Sequence, residues 1–308
     1  MKVLNLVSNE NARFFQQQTE TLERRGVTCD TLTPPGDHLT REDVTERSVG
    51  DYLRFAPKVV AESFDGYDLV HANYGLTAPM ALAQIRLPVV LTLWGTDLLG
   101  EYGWLSKHCA RLCDAVIVMS DEMAHELGDS CHVIPHGINM DRFAPRPKDE
   151  TREQLGWDLD ARHVLFPYPP TQTVKDHPRA ERVVERARER LDADVKLQVV
   201  YGVPHPEVAT YMNAADALLL TSKREGSPNS VKEAMSCNLP VVSTDVGDVA
   251  QRLEEVSSSH VGETDDELVE GLVDVLDEPR PSDGREAIGH LSLERMGERI
   301  EGVYESVT

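Results

Sequence analysis

Lysine is scarce in this chain: eight residues against 23 arginines, and these 31 basic residues face 53 acidic ones, for a formal net charge of −22 over 308 residues. A deficit of that size excludes a protein that tracks nucleic-acid phosphates, because such affinity comes from Lys and Arg neutralising them. It also argues against an electrostatic anchor on anionic lipid. Long apolar runs are missing as well. No stretch approaches the ~20 residues that a membrane-crossing helix needs. The opening run MKVLNLV stops at Asn9–Glu10, so no secretory signal is expected. Cysteine is sparse and unpaired in pattern: Cys29, Cys109, Cys113, Cys131 and Cys237, an odd number with no C-x-x-C. A disulfide framework is therefore not expected, and a reducing cytoplasm is the expected location. Cys109 and Cys113, beside His108, read as thiols buried on one helix face rather than as a metal site. There is no G-x-G-x-x-G for a dinucleotide and no G-x-S-x-G elbow for a serine hydrolase. The strings Asp158/Asp160 and Asp192/Asp194 follow no predicted strand, so a metal-binding D-x-D is not read from them.

With 40% hydrophobic and 27% charged residues the composition is that of a globular protein, and the length fits two domains of about 150 residues. Acidic, lysine-poor composition resembles that of proteins from extreme halophiles; self-repulsion at low salt should loosen such a fold and molar salt should screen it. Short apolar runs alternate with amphipathic segments. Strands are predicted near 2–7, 27–32, 68–71, 88–93, 115–119 and 131–134, with helices over 11–25, 50–64, 76–85, 101–111 and 120–127. The pattern breaks at 135–150, which holds three prolines and no periodicity, and then restarts with strands near 163–166, 195–200, 216–220, 239–242 and 257–261. Helices fit 177–191, 206–213, 228–237, 247–254 and 265–277. Strands that are apolar throughout belong to parallel sheets covered on both faces. The fold class is α/β: two Rossmann-like, doubly wound parallel-sheet domains facing a cleft. The domains are placed at 1–142 and 143–290. A tail helix over 291–306 carries Leu293, Met296, Ile300 and Val303 at helical spacing.

Chemistry concentrates in DALLLTSKREGSPNSVKEAMSCNLPVVSTDVGD, residues 216–248. A strand ends at Leu220. Ser227 is read as an N-cap and Pro228 as the first helical residue. The amides of Asn229, Ser230 and Val231 then lack intrahelical acceptors and form an anion site at the positive end of the helix. Position 230 is Ser, so no capping-box carboxylate competes there. Gly226 permits close approach of a ligand. Glu225 lies in the loop. Glu233 lies in the helix on the face of Asn229 and Ser230, where a carboxylate can accept from the vicinal hydroxyls of a ribose.

This E-x7-E arrangement, with EGSPNSVKEAM and NLPVVSTDVGD in register, resembles glycosyltransferase family 4, whose members have the GT-B fold. The likeness is close over about thirty residues and extends to the order of elements along the chain. It implies transfer of a sugar from a UDP- or GDP-sugar, with retention and without a metal or other cofactor, to a glycan or lipid-linked acceptor. The nucleotide would bind the second domain and the acceptor the first. Peripheral contact at the inner face of the membrane is left open by the family's habits, although no basic amphipathic helix supports it. The resemblance further implies that Lys175 and the amides at 229–231 hold the diphosphate, that Glu233 holds the ribose, and that Glu225 assists the transferred sugar. Preorganised donors would stabilise charge on the leaving phosphate. The loop Gly202–Val203–Pro204 would reach the base, and the tail helix would cross back onto the first domain.

The chain also departs from the pattern. Pro170 stands where the family has an Arg, and Arg224 or Lys223 is the candidate replacement. HANYG at 71–75 has Asn73 for a second His. WGTD at 94–97 has Trp94 where many members have a His, which makes Asp97 the candidate catalytic residue of the first domain. SNENARFF replaces a Gly-Gly loop, and PHGINMDRF at 135–143 resembles the interdomain segment. These departures keep an alternative open: a non-catalytic member of the same fold that binds a nucleotide sugar or a partner.

Overall fold

A computed structural model describes residues 1–35, 49–128 and 130–308, and the chain divides into two units. The first takes in Met1–His136 and Leu293–Thr308, the second Gly137–Ser292. The boundary falls before residue 142 because Ile138 pairs with Ser292, and Ile138 and Phe143 are buried in the second unit's core.

Among its described residues the first unit has six strands: β1 (Lys2–Leu6), β2 (Thr28–Leu32), β3 (Leu69–Ala72), β4 (Val89–Thr92), β5 (Ala115–Val118) and β6 (His132–Val133). They form one sheet in the order β2-β1-β3-β4-β5-β6, with every pair parallel. β3, β4 and β5 are buried at every position, as expected for strands covered on both faces. Leu293–Val307 is a helix whose Leu293, Met296, Ile300, Val303 and Tyr304 join this core. It packs against the helix Arg13–Arg24, with Arg25 paired to Glu301 at 2.5 Å. Tyr304 reaches the sheet. Its hydroxyl lies 2.6 Å from His71 Nδ1, and His71 Nε2 lies 2.7 Å from Thr92 Oγ1. His71 is wholly buried, which lowers its pKa to about 3 and keeps the ring neutral.

The second unit repeats the plan with five strands: β7 (Arg162–Phe166), β8 (Val195–Val199), β9 (Ala217–Leu220), β10 (Val241–Thr244) and β11 (His260–Gly262). The order is β11-β10-β9-β7-β8, again all parallel. Apolar clusters around Leu165, Leu218 and Met235 and around Phe166, Leu219 and Leu272 form its core. The segment read as linker contains the start of a helix that the sequence did not reveal, Lys148–Leu155. Only Thr151 and Arg152 of that helix are buried. Arg152 is held by the carbonyl of Ala214 and by Asp216 at 2.6 Å, so polar contacts rather than an apolar stripe dock it. Among the described residues no helix is long and apolar enough to cross a membrane.

Candidate functional site

In the second sheet the order reverses at β7, whose neighbours are β9 on one side and β8 on the other. Ligands in such sheets bind outside the carboxyl ends of the strands at that switch point. The segments leaving β7 and β9 there are 167–176 and 221–228. They are stitched together through the backbone: Lys223 N–H donates to Val174 O at 2.8 Å. The Thr221 hydroxyl donates to the carbonyls of Lys175 and Asp176 at 2.9 and 3.0 Å. Those bonds hold Asp176 at φ 50°, a left-handed conformation that Asp tolerates better than most residues.

This stitching brings Lys175 and Glu225 together, fifty positions apart in the chain. Lys175 Nζ donates to Glu225 Oε1 at 2.5 Å and lies 3.9 Å from the centroid of the Tyr168 ring. The two charged side chains are only 14% and 15% exposed, so the pair sits in a recess shielded from most of the solvent. The Tyr168 hydroxyl is hydrogen-bonded to Ser230 Oγ. Burial, and then the neighbouring charge of Glu225, push the Tyr168 phenol far above its ordinary pKa, so it remains protonated.

The loop carrying Glu225 is braced from behind. Asp248 N–H donates to Gly226 O at 3.1 Å. Asp248 Oδ2 accepts from the Ser227 hydroxyl at 2.7 Å and from Arg252 Nε at 2.9 Å. Gly247, at φ 58°, is where the backbones meet: a Cβ there would stand 2.2 Å from Gly226 O. The helix begins one residue later than the sequence suggested, at Asn229, with Pro228 as N-cap and no side-chain cap. The Ser227 hydroxyl is turned to Asp248 instead of the helix end, which corrects its reading as N-cap. The amides of Asn229, Ser230 and Val231 stay at the open first turn. Asn229 Oδ1 at this turn and Ser222 Oγ, two residues after β9, are buried and have no hydrogen-bond partner among the described residues.

Glu233 lies one turn further along the helix and is 7% exposed. Its Oε1 is 2.6 Å from Nε2 of His205, the first residue of the helix His205–Ala214. Arg224 is exposed and makes no ion pair among the described residues, while Lys223 is paired with Asp176 at 3.4 Å. Lys232 is buried, which lowers its pKa to about 8. The second unit thus gathers Lys175, Glu225, Gly226, Asn229, Ser230, Val231 and Glu233 around one switch point, with Arg224 at its margin.

Two participants escaped the sequence reading. Tyr168 stands 62 positions from Ser230, and His205 stands 28 from Glu233. The only signal for Tyr168 was its place directly after a strand.

In the first unit Asp97 is 3% exposed and both of its oxygens are engaged. Oδ1 accepts from the amides of Trp94 and Gly95 at 2.8 and 3.0 Å, and Oδ2 from the Gly75 amide at 3.0 Å. The carboxylate ties the segment after β4 to the segment after β3. Both oxygens of this candidate catalytic residue are thus engaged by backbone amides. Trp94 Nε1 donates to Asn73 O at 2.9 Å, and its ring lies 4.2 Å from that of Phe14. The Asn73 side chain is buried between Asn5 and Gln18, so it belongs to the fold. Among the described residues no group of three or more His, Cys, Asp or Glu side chains is placed to hold a metal ion. Asp158 and Asp194 of the two D-x-D strings both pair with Lys196.

Two family models match the chain, Glycosyltransferase Family 4 over residues 12–142 and Glycosyl transferases group 1 over 174–278. Among curated proteins, TuaC of Bacillus subtilis strain 168, named as a glycosyltransferase for teichuronic acid biosynthesis, is 30% identical over 214 residues, covering 59% of this chain and 54% of that protein. The chain spans about half the length of the curated relatives it matches first. Among solved structures, sucrose-phosphate synthase from Thermosynechococcus elongatus superposes with a TM-score of 0.75 at 18% identity, over 99% of this chain and 98% of that one. HepE of Anabaena, solved with UDP and glucose, gives 0.73 at 16% identity, over 99% of this chain and all of that one. At such identities the likeness is one of fold. Two parallel-sheet domains and the superposition on these solved structures give the chain the GT-B fold, and each of its domains is similar to a glycosyltransferase family model.

Proposed function

We propose that the protein is a retaining, metal-independent glycosyltransferase that moves a sugar from a UDP- or GDP-sugar to a glycan or lipid-linked acceptor. The observation that carries this reading is the meeting of Lys175 and Glu225 at the switch point, beside an uncapped helix start with Glu233 one turn beyond it. A nucleoside diphosphate has the matching chemistry in the matching order. Its phosphates suit the amides of Asn229, Ser230 and Val231, with the Lys175 ammonium at hand. Its ribose hydroxyls suit Glu233, and its base then points toward Gly202–Val203–Pro204. HepE was solved with UDP and with UDP-glucose, which supports a uridine donor as the first to try.

When the phosphates engage Lys175, the ammonium is shared or withdrawn from Glu225, and that carboxylate becomes available to the transferred sugar. Charge accumulates on the phosphate oxygen as the bond to the anomeric carbon breaks. Lys175 and the helix-end amides are already oriented to stabilise it, so little reorganisation is needed at the moment of reaction. Arg224, exposed beside Glu225, is the side chain best placed to take the part of the Arg replaced by Pro170. Asp97 acts indirectly, by fixing the segments that carry Trp94 and Gly75.

The test is turnover: UDP- and GDP-sugars are incubated with the protein and simple glycan acceptors in EDTA, and nucleotide release is followed. Release from one donor, abolished in Glu225→Gln, is the expected result. Nucleotide binding without release from any donor would favour the non-catalytic alternative, and a requirement for added divalent metal would refute metal independence.

A further inference from the structure

We propose that His205 is a positioning residue for nucleotide binding: it clamps Oε1 of Glu233 through Nε2–H and so commits Oε2 to the ribose hydroxyls. The inference rests on the reading of Glu233 as the ribose acceptor.

A carboxylate on a helix has free rotation about its terminal bond and can present either oxygen, or both, in many directions. Glu233 is almost fully buried, and the Nε2 of His205 stands 2.6 Å from its Oε1. One charge-assisted bond of that length fixes both the rotation and the choice of oxygen. His205 is itself held. It opens the helix His205–Ala214 behind Pro204, its side chain is 10% exposed, and its ring packs 5.2 Å from that of Phe143, which is buried. The clamp is therefore a rigid group on a rigid element, which is what precise placement of a ligand-binding carboxylate requires.

The other nitrogen of His205 is not engaged by the fold, unlike those of His71 and His163. His71 is bonded at both nitrogens, to Tyr304 and Thr92. His163 is bonded at both, to Asp158 O and Gln198. His205 Nδ1 is buried and has no hydrogen-bond partner among the described residues. Leaving a buried nitrogen unsatisfied costs stability. His177 Nε2 is likewise buried without a hydrogen-bond partner among the described residues, so it is the contact to Glu233, and not the open nitrogen alone, that marks His205. His205 directly follows the loop Gly202–Val203–Pro204, the segment read as reaching the base.

The experiment compares ribonucleoside with 2′-deoxyribonucleoside diphosphates, UDP against dUDP and GDP against dGDP, by titration calorimetry. Wild type, Glu233→Ala, His205→Ala and His205→Gln are measured in molar KCl. Wild type should prefer the ribonucleotide, and Glu233→Ala should lose the preference. His205→Ala should reduce it by on the order of tenfold, as loss of a charge-assisted bond implies. His205→Gln, which restores an N–H donor, should recover most of it. Melting without nucleotide reports whether each variant folds, and His205→Phe replaces the alanine variant if that one does not. Full ribose preference in His205→Ala or His205→Phe, alongside its loss in Glu233→Ala, would overturn this inference and leave the ribose reading intact. No ribose preference in wild type, or full preference in Glu233→Ala, would overturn the ribose reading itself.

Discussion

Acid should loosen the first unit through a single histidine. His71 is wholly buried between Tyr304 of the terminal helix and Thr92 of β4, and its folded pKa is lowered from 6.5 to about 3 by burial. The folded ring is neutral over that whole interval, while the unfolded ring takes up a proton below 6.5. Its contribution to stability is therefore intact above pH 6.5 and is lost as the pH falls toward 3. Each pH unit in that window costs about 1.4 kcal/mol. Acidification from about pH 6.5 to about pH 5 should thus cost roughly 2 kcal/mol, or about 4–8 °C of melting midpoint for a unit of this size. Other groups titrate in the same range, so the quantity to read is a difference: wild type against His71→Gln, which keeps a donor and an acceptor but cannot charge. Scanning calorimetry at several pH values in molar KCl should show a wild-type midpoint that falls more steeply, by about the amount given. Parallel lines for the two proteins would refute the argument.

The same contacts make the tail helix a structural part of the first unit. Deleting residues 293–308 would expose the partners of Met296, Ile300 and Tyr304, so one calorimetric transition should drop sharply or vanish while the second unit's persists; an unchanged profile would contradict this. Lys175→Met should weaken UDP or GDP binding about 10–100-fold in titration calorimetry, the worth of a charge-assisted bond, and leave the phosphate-free nucleoside unaffected. Equal losses for both would remove Lys175 from the phosphate site. Raising KCl from about 0.1 M to about 1 M shortens the screening length from about 10 to about 3 Å. With a net charge of −22 the melting midpoint should rise, and a flat or falling midpoint would show that self-repulsion does not limit the fold.

The fold class was legible because its signal is local. Runs such as VVL in PVVLTL and ALLL in DALLL hold apolar residues at successive positions, and they proved to be parallel strands buried on both faces. What escaped the sequence was whatever depended on distant contacts. The helix Lys148–Leu155 carries no apolar stripe and is docked by Arg152 on Asp216 and the Ala214 carbonyl, 64 and 62 positions away. Flanking prolines made it read as linker. Ser227 has the composition of an N-cap, but Asp248 competes for its hydroxyl. Asp97 has the look of a reactive carboxylate in a loop, yet the neighbouring amides of Trp94 and Gly95 occupy one oxygen and the amide of Gly75, 22 positions away, occupies the other. Lys175 and Glu225 could each be picked out from strand ends and motif spelling. Their pairing, the Tyr168 ring beneath the ammonium and the His205 contact to Glu233 all come from the order of strands, which spacing along the chain does not encode.

The most direct test of the central claim, that the helix Asn229–Ser236 and its flanking loops bind a nucleoside diphosphate, is a thermal-shift screen in molar KCl. UDP, GDP, ADP, CDP and the matching UDP- and GDP-sugars are compared on wild type and Glu233→Ala. One base should stabilise wild type by several degrees, since a ligand at about 100 times its Kd adds about 2.7 kcal/mol, and the mutant should lose the effect. A folded wild-type protein that no nucleotide stabilises, or a stabilisation that survives unchanged in Glu233→Ala, would contradict the account.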